Sequence, residues 1–341
     1  MKKTDQTIWQ APNRKQYRYF CAAFLLLLFF SPSKAANTGE KAKKIIDRMS
    51  VATRTLNYDG IFVLSRANHL VSMRIIHKVD NGREFERLLS LTGAAREVIR
   101  DNQKITWIFS DNRAVMVAKK PPRQLLSPAL PEPIEKIADS YSFAVLGSDR
   151  VAGRGAWVVG IRPKHQDRYG YRLWIDTKSY LLLKSKVIDP DGEALEQMLF
   201  TDVKMPEHIP ASLLQPAITG EGYTWYTNEP GPTPRSGGET STWKAEWLPK
   251  GFVMRDYRVQ AMSATRMPVD HMVFSDGLAT VSIFVEKFQR ADELQEGDTS
   301  LGTVNTYSTM VRDYLVTVVG ELPSVTIRQI AASVKPPCSG S

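Results

Sequence analysis

The sequence predicts an α+β protein, mainly antiparallel β, with a large curved sheet around an N-terminal helix and a smaller α+β C-terminal domain. Three observations predict it. Apolar residues recur every three or four positions in one early segment. From Tyr58 onward they recur every second position. The strand-like segments are joined by turns too short for crossover helices, which makes their pairing antiparallel.

Ahead of the first helix stands a leader. Lys2, Lys3, Arg14, Lys15 and Arg18 precede the apolar run Tyr19–Phe30, and Ser33 and Ala35 then occupy positions −3 and −1 of a cleavage site. That order is a secretory signal, and the run is shorter than the ~20 residues a membrane span needs. Residues 1–35 are therefore expected to be removed on export to the periplasm. The leader carries six of the 45 Lys and Arg and one of the 36 acids, so the exported chain has a net charge of +4. A mild positive charge favours anionic partners such as lipid headgroups. Basic runs interleaved with aromatics are missing, which argues against nucleic acid. Cys21 leaves with the leader and Cys338 remains, so no internal disulfide can form. Cys338 lies in a Pro/Ser/Gly tail, residues 335–341, where it either joins two chains into a homo-oligomer or is incidental.

In residues 39–57, Ala42, Ile45, Ile46, Met49 and Ala52 form one helical stripe. Strands are expected over 71–76, 83–91, 95–100, 104–110 and 113–118, with Asp80-Asn81-Gly82 and similar Asx and Gly pairs at the turns. Residues 120–134 hold five prolines, which forbids strand pairing there, yet carry Leu125, Leu126 and Leu130. A short helix at 134–140 leads to strands at 142–149, 156–163, 169–176, 180–188 and 193–204. The large domain thus spans 36–204, and the sheet buries itself by curling around the helix as an incomplete barrel. Residues 205–241, rich in Pro and Gly, read as a linker in which Trp225 and Tyr226 dock on a neighbouring domain. A small domain over 242–334 has strands at 243–247, 252–262, 269–275, 278–288, 302–309 and 313–320 and a closing helix at 323–333, with Pro323 in its first turn.

No catalytic or metal signature accompanies these elements. The five histidines have no partner at metal-ligand spacing, and neither a nucleophile elbow nor a phosphate-cradling loop occurs. Asp189 and Asp191 in DPDG are half a calcium loop and read as a hairpin turn. Arg96, Glu97 and Arg100 surround one strand and read as a solvated face, with a side-chain network as the alternative. The chain is expected to be no enzyme and to need no cofactor or metal. What it offers is apolar sheet surface. Trp107 and Phe109, Val115 and Val117, Leu173, and Leu181 and Leu183 form apolar faces. Ile108, Met116, Trp174 and Leu182 make several strands apolar on the other face too. Such strands need either a second covering layer or an open cavity for an apolar ligand.

The strands at 169–188 followed by DPDGEALEQMLFTDVKM resemble the lipoprotein-carrier half-barrel. Six ordered stretches resemble the MucB/RseB family: 58–66 (YDGIFVLSR), 72–101, 171–203, 247–252 (WLPKGF), 270–288 (DHMVFSDGLATVSIFVEKF) and 316–334. The resemblance implies a periplasmic negative regulator of an envelope-stress sigma factor. It would bind the periplasmic domain of a transmembrane anti-sigma factor and shield it from site-1 proteolysis. Lipopolysaccharide or lipidated protein would release it. The resemblance implies that the large domain senses lipid; on the apolar faces above, its cavity would be lined by Trp107, Phe109, Val115, Val117, Leu173, Leu181 and Leu183, with Leu125, Leu126 and Leu130 covering its mouth, and ordinary core against the helix is the alternative reading of each lining residue. Phe274, Ser275, Asp276 and Gly277 are the implied partner contacts, although Ser-Asp-Gly is also what a hairpin turn requires. A lipid or lipoprotein carrier is the alternative.

Overall fold

The computed structural model describes residues 33–67, 69–101, 104–119, 130–131, 133–228, 243–261, 268–288 and 296–336. Helix α1 (Ser33–Thr55) is followed by β1 (Tyr58–Arg66), β2 (His69–Asp80), β3 (Arg83–Ser90), β4 (Arg96–Asp101), β5 (Lys104–Phe109) and β6 (Ala114–Lys119). Then come β7 (Tyr141–Val151), β8 (Arg154–Pro163), β9 (Gly170–Asp176), β10 (Leu182–Ile188), β11 (Ala194–Lys204) and β12 (Thr224–Asn228). These twelve strands form one sheet in the order β12-β6-β5-β4-β3-β2-β1-β11-β10-β9-β8-β7. The turns are those the sequence asks for: Asn81 and Gly82 both take positive φ, 49° and 75°, between β2 and β3.

The helix sits inside the sheet. Ala42, Ile45, Ile46 and Met49 are buried in a single core with Tyr58, Phe62, Ile75, Val159, Leu173 and Phe200. A flat sheet could not bring β1, β2 and β7–β11 to one helix, so this core is the concave side. Its tightest point is Gly60, where an added Cβ would lie 2.6 Å from the Phe200 ring and 2.8 Å from the Asp202 carbonyl oxygen.

The convex side of β2–β6 is covered as well, by a segment expected to be linker. After β11 the chain crosses back over these strands. Asn57 Nδ2 donates to the Glu207 carbonyl (2.8 Å), Arg87 Nη1 to the Leu213 carbonyl (3.1 Å) and Ala217 N to Glu97 (3.2 Å). Ile209 of this strap is buried along with Ile76, Ile108 and Val115. The strap ends in β12, which pairs in parallel with β6. This parallel pair departs from the antiparallel expectation, because the strap supplies the long return that parallel pairing needs. Trp225 and Tyr226 lie on this edge strand, so this part of the expected linker docks on the large sheet. The remainder of the expected linker, 229–241, lies outside the described residues.

The small unit has β13 (Lys244–Ala245), β14 (Val253–Ala261), β15 (Pro268–Ser275), β16 (Thr280–Lys287), β17 (Gly297–Leu301), β18 (Val304–Val311), β19 (Tyr314–Gly320), α2 (Ser324–Ala332) and β20 (Val334–Lys335). Six of its strands form a sheet in the order β14-β15-β16-β19-β18-β17, and β13 pairs with β20. β17 was not among the expected strands. Its residues, Gly-Asp-Thr-Ser-Leu, are mostly exposed and lack an alternating apolar pattern. Ile327, Ile330 and Ala331 of α2 pack with Met272, Val281, Ile283, Val316 and Val318.

Gly60→Ala should lower stability by about 1–3 kcal/mol, the usual cost of overpacking a full core. Urea unfolding of both proteins measures it as a lower midpoint with an unchanged slope.

Candidate functional site

Two places concentrate the polar and apolar groups that the fold leaves over: the concave face of β2–β6 and the junction between the sheets.

Register places the concave face row by row. One row is polar. Tyr58, His77, Glu86 and Arg100 are cross-strand neighbours from β1 to β4, followed by Ile105 on β5. All are buried. Tyr58 stacks on His77 with ring centroids 4.7 Å apart. His77 Nδ1 donates to the Leu56 carbonyl at 2.7 Å, since a carbonyl only accepts. Arg100 Nη1 donates to Glu86 at 2.8 Å. Burial pulls the His77 pKa below the usual imidazole value, against the opposing hydrogen bond to Leu56. Burial pushes Glu86 up, against the hydrogen bond from Arg100. On the other face, Glu97 is also buried and is bonded to Arg87 at 3.1 Å. Of the residues expected on a solvated face, Arg96 is exposed and pairs with Asp111 at 2.7 Å, whereas Glu97 and Arg100 belong to buried ion pairs on opposite sides of the sheet.

The next row is apolar: Ile75, Leu88, Val98, Trp107, Met116 and Tyr226 are successive neighbours from β2 to β12. Exposure rises along it. Ile75 is fully buried, Leu88, Val98 and Trp107 are half-buried, and Met116 and Tyr226 reach 43% and 56% exposure. This strip is the open part of the trough.

The expected cavity residues divide among three places. Trp107 and Phe109 lie on the concave face, Phe109 under the Arg96 guanidinium at 5.9 Å. Val115 and Val117 pair with Ile108 and Thr106, so they point to the convex side, and Val115 lies under the strap near Gly220. Leu173, Leu181 and Leu183 are fully buried in the main core. The alternation within each strand was legible, but which face it presented depended on register. Leu130 is half-buried against the main core, while Leu125 and Leu126 lie outside the described residues.

The residues expected to meet a partner sit at the junction. Phe274 belongs to the small core. Asp276 accepts from Leu278 N (2.9 Å) and Ala279 N (2.8 Å), and Gly277 N donates to Ser275 Oγ (2.9 Å), which makes 275–279 the β15–β16 turn. The other oxygen of Asp276 faces the large unit. It accepts from Arg168 Nη1 at 2.5 Å and from Tyr141 OH at 2.9 Å. Arg168 is fully buried. It also bonds Asp167 (2.7 Å) and the Lys250 carbonyl (2.8 Å) and lies 5.3 Å from the Phe252 ring. Burial pushes the Tyr141 phenol far above its usual range, so it stays protonated and donates. Gly277, at φ 103°, faces Ile137 and Pro131, where an added Cβ would lie 3.1 Å from Ile137. A second contact joins Asn305 Nδ2 to Tyr169 OH at 2.8 Å. The sequence marked the turn but gave no sign of the buried arginine, which has no apolar or motif signature.

Among the described residues no group of three or more His, Cys, Asp or Glu is placed to hold a metal.

Comparison with known proteins fixes the lineage. Residues 41–218 match the MucB/RseB N-terminal domain and residues 238–335 the MucB/RseB C-terminal domain. The chain belongs to the MucB/RseB family. It is 30% identical over 326 residues to the sigma factor AlgU regulatory protein MucB of Pseudomonas aeruginosa, covering 92% of this chain and 97% of the relative. It is 29% identical to the sigma-E factor regulatory protein RseB of Haemophilus influenzae, covering 93% and 97%. A crystal structure of MucB in complex with MucA(peri) aligns with a TM-score of 0.68 at 29% identity, covering 87% of this chain and all of that one. The Pseudomonas aeruginosa MucA/MucB complex aligns at 0.70 and 28% identity, covering 88% and 100%. The match to this family spans both sheets and the junction between them.

Two predictions follow from the site. Breaking a buried ion pair by removing one partner costs about 3–5 kcal/mol. Arg168→Met and Asp276→Leu should each cost that much in urea unfolding, and the double variant should cost clearly less than the sum. His77 predicts a pH effect. Its folded pKa lies below the unfolded value of ~6.5, so the unfolded chain binds the proton first. Its contribution is complete above pH ~6.5 and declines as pH falls toward the folded value. Glu86 acts with the opposite sign, so the test is the difference in urea midpoint between wild type and His77→Gln, which should shrink below pH ~6.5.

Proposed function

We propose that this protein is an exported, periplasmic negative regulator of an envelope-stress sigma factor. It binds the periplasmic domain of a transmembrane anti-sigma factor and shields it from the protease that begins its destruction. Lipopolysaccharide or lipidated protein releases it. The observation that carries the partner is the alignment of both units with MucB bound to MucA(peri) at a TM-score of 0.68. The leader 1–35 supports export, with cleavage after Ala35 falling inside the first turn of α1.

Support for lipid sensing comes from the strip Leu88, Val98, Trp107, Met116 and Tyr226, to which Phe109 is adjacent. It is a continuous apolar surface on the inside of a curved sheet, the kind of place an acyl chain enters to leave water. Release requires only that lipid bind the partner-free state better than the bound one. The turn Phe274–Gly277 is retained as the proposed partner-sensitive element, acting through its docking on the large unit. The same apolar strip favours a second reading, a lipid or lipoprotein carrier, which would move lipid stoichiometrically between membranes.

The test is a titration of the exported protein with the anti-sigma periplasmic domain, with and without lipopolysaccharide. The regulator reading expects tight binding that lipopolysaccharide weakens. Met116→Asp should leave partner binding unchanged and weaken the competition about tenfold, by placing a charge in the apolar strip. Absence of binding together with lipid transfer between vesicles would establish the carrier instead.

A further inference from the structure

The outer face of β8–β10 carries a cluster that neither the trough nor the junction uses. Arg172 on β9 stands opposite Gly160 on β8, and one register step beyond Ile161 and Tyr171 stand Arg162 and Gly170. Two arginines thus take one diagonal of a four-residue square and two glycines take the other. Diagonal neighbours on a sheet are ~7–8 Å apart, and the space between the guanidinium groups is floored by Leu146 over Gly160 and by Pro163 beside Gly170. This gap opens into a groove of about 600 Å³ that Lys164 also borders. Both arginines are exposed, and neither makes an ion pair with a described residue. The acid in the groove, Asp189, is turned to its own loop, where it accepts from Glu193 N at 2.8 Å.

Positive charge continues across the same face. Lys186 is the register neighbour of Arg172. Lys184 rests over the Trp174 ring at 4.3 Å. Burial, followed by repulsion from Lys186 and Arg172, holds the Lys184 pKa below its ordinary value against the attraction of Asp149, the one acid beside it among the described residues, which accepts from Trp174 Nε1 at 2.8 Å. Beside these cations, on the edge strand β7, stands Leu146, 54% exposed, with its side chain laid over Gly160.

We propose that this face docks on the surface of an anionic phospholipid bilayer, with lipid phosphates seated between Arg162 and Arg172 and Leu146 entering the headgroup layer. The arrangement favours a bilayer over an acidic peptide for two reasons. The cations spread over three strands as a patch, where a peptide would need a line. An exposed leucine on the edge strand β7, at the border of the patch, gains from an interface with an apolar interior and gains little from a carboxylate-rich chain. The docking face lies on the opposite side of the sheet from the main core and is independent of the proposed regulatory function.

The test uses protein purified from the periplasm. It is mixed with vesicles of phosphatidylcholine containing phosphatidylglycerol, or of phosphatidylcholine alone, and bound protein is measured by co-sedimentation over a salt series. Binding should require phosphatidylglycerol and fade as salt rises. Arg162→Gln and Arg172→Gln should each lower the partition coefficient about fivefold, and together about twenty-five-fold. Leu146→Asp should lower it as well, with the melting temperature unchanged in every variant. The lipid and salt dependence of the unmodified protein stands as evidence even if a variant folds poorly. Equal binding to both vesicle types would overturn the proposal. So would undiminished binding by the folded double variant, or capture of poly-glutamate through the same arginines without vesicle binding.

Discussion

Arg168 presents no surface to solvent, so its charge has to be answered inside the protein. Left unpaired there it would cost several kcal/mol. The answer comes from both units: Asp167 from its own loop, and Asp276 with the Lys250 carbonyl from the small unit. The apolar part of the junction, Leu278 entering the large core, tolerates small rotations. The hydrogen bonds do not, because Asp276 must receive Arg168 and Tyr141 with one oxygen while the other holds the turn. Gly251 and Gly277 belong to the same constraint. Each has positive φ, and each lies against the large unit, at Ser140 and Ile137, where a side chain has no room. The ion pair therefore selects one docking out of the many that apolar contact alone would allow.

The large sheet solves a different problem. Twelve strands expose two faces, and one helix covers only part of one. α1 fills the concave side against β7 and β8, and the strap after β11 covers the convex side of β2–β6. What remains uncovered is set by these two coverings. It is the apolar row from Leu88 to Tyr226 on the inside and the cationic patch at Arg162 and Arg172 on the outside. The buried polar row Tyr58–His77–Glu86–Arg100 runs beside the open apolar row, and its hydrogen bonds make it costly to rearrange. It therefore gives the trough a stiff floor.

Much of this was legible in the sequence, and the failures share a cause. The stripe Ala42, Ile45, Ile46, Met49 and Ala52 announced a buried helical face and is one. The Asx and Gly turns announced hairpins. β12 was not legible, because five residues between Pro216 and Pro230 carry little pattern and pair only through the strap's long return. Val115 and Trp107 are equally apolar, and alternation within a strand cannot say which face joins which across a turn. Register decides that. Two-sided apolar strands admitted a covering layer or a cavity, and on β5 and β6 the strap covers the convex face while the concave face lies open. Ser275, Asp276 and Gly277 were legible as a turn, but its docking on Arg168, Tyr141 and Ile137, residues far away in sequence, was not.

The segment joining trough and junction is short. Ile134 N bonds Asp47 of α1 at 3.0 Å, and Lys43 of α1 pairs with Glu135 at 3.0 Å. Leu130 packs on the main core, and Pro131 and Ile137 lie directly beneath Gly277. Residues 130–131 and 133–137 therefore touch the helix inside the trough on one side and the docking turn of the small unit on the other. Close packing transmits displacement rather than absorbing it, so moving Leu130 or α1 moves the bed on which Gly277 rests. Asp276 is the next residue, and its bond to Arg168 requires that bed to stay in place. A ligand that repositions the trough's helix and a partner that engages the turn would then act on one shared contact. Each would bias the other by the difference in free energy it imposes on that contact.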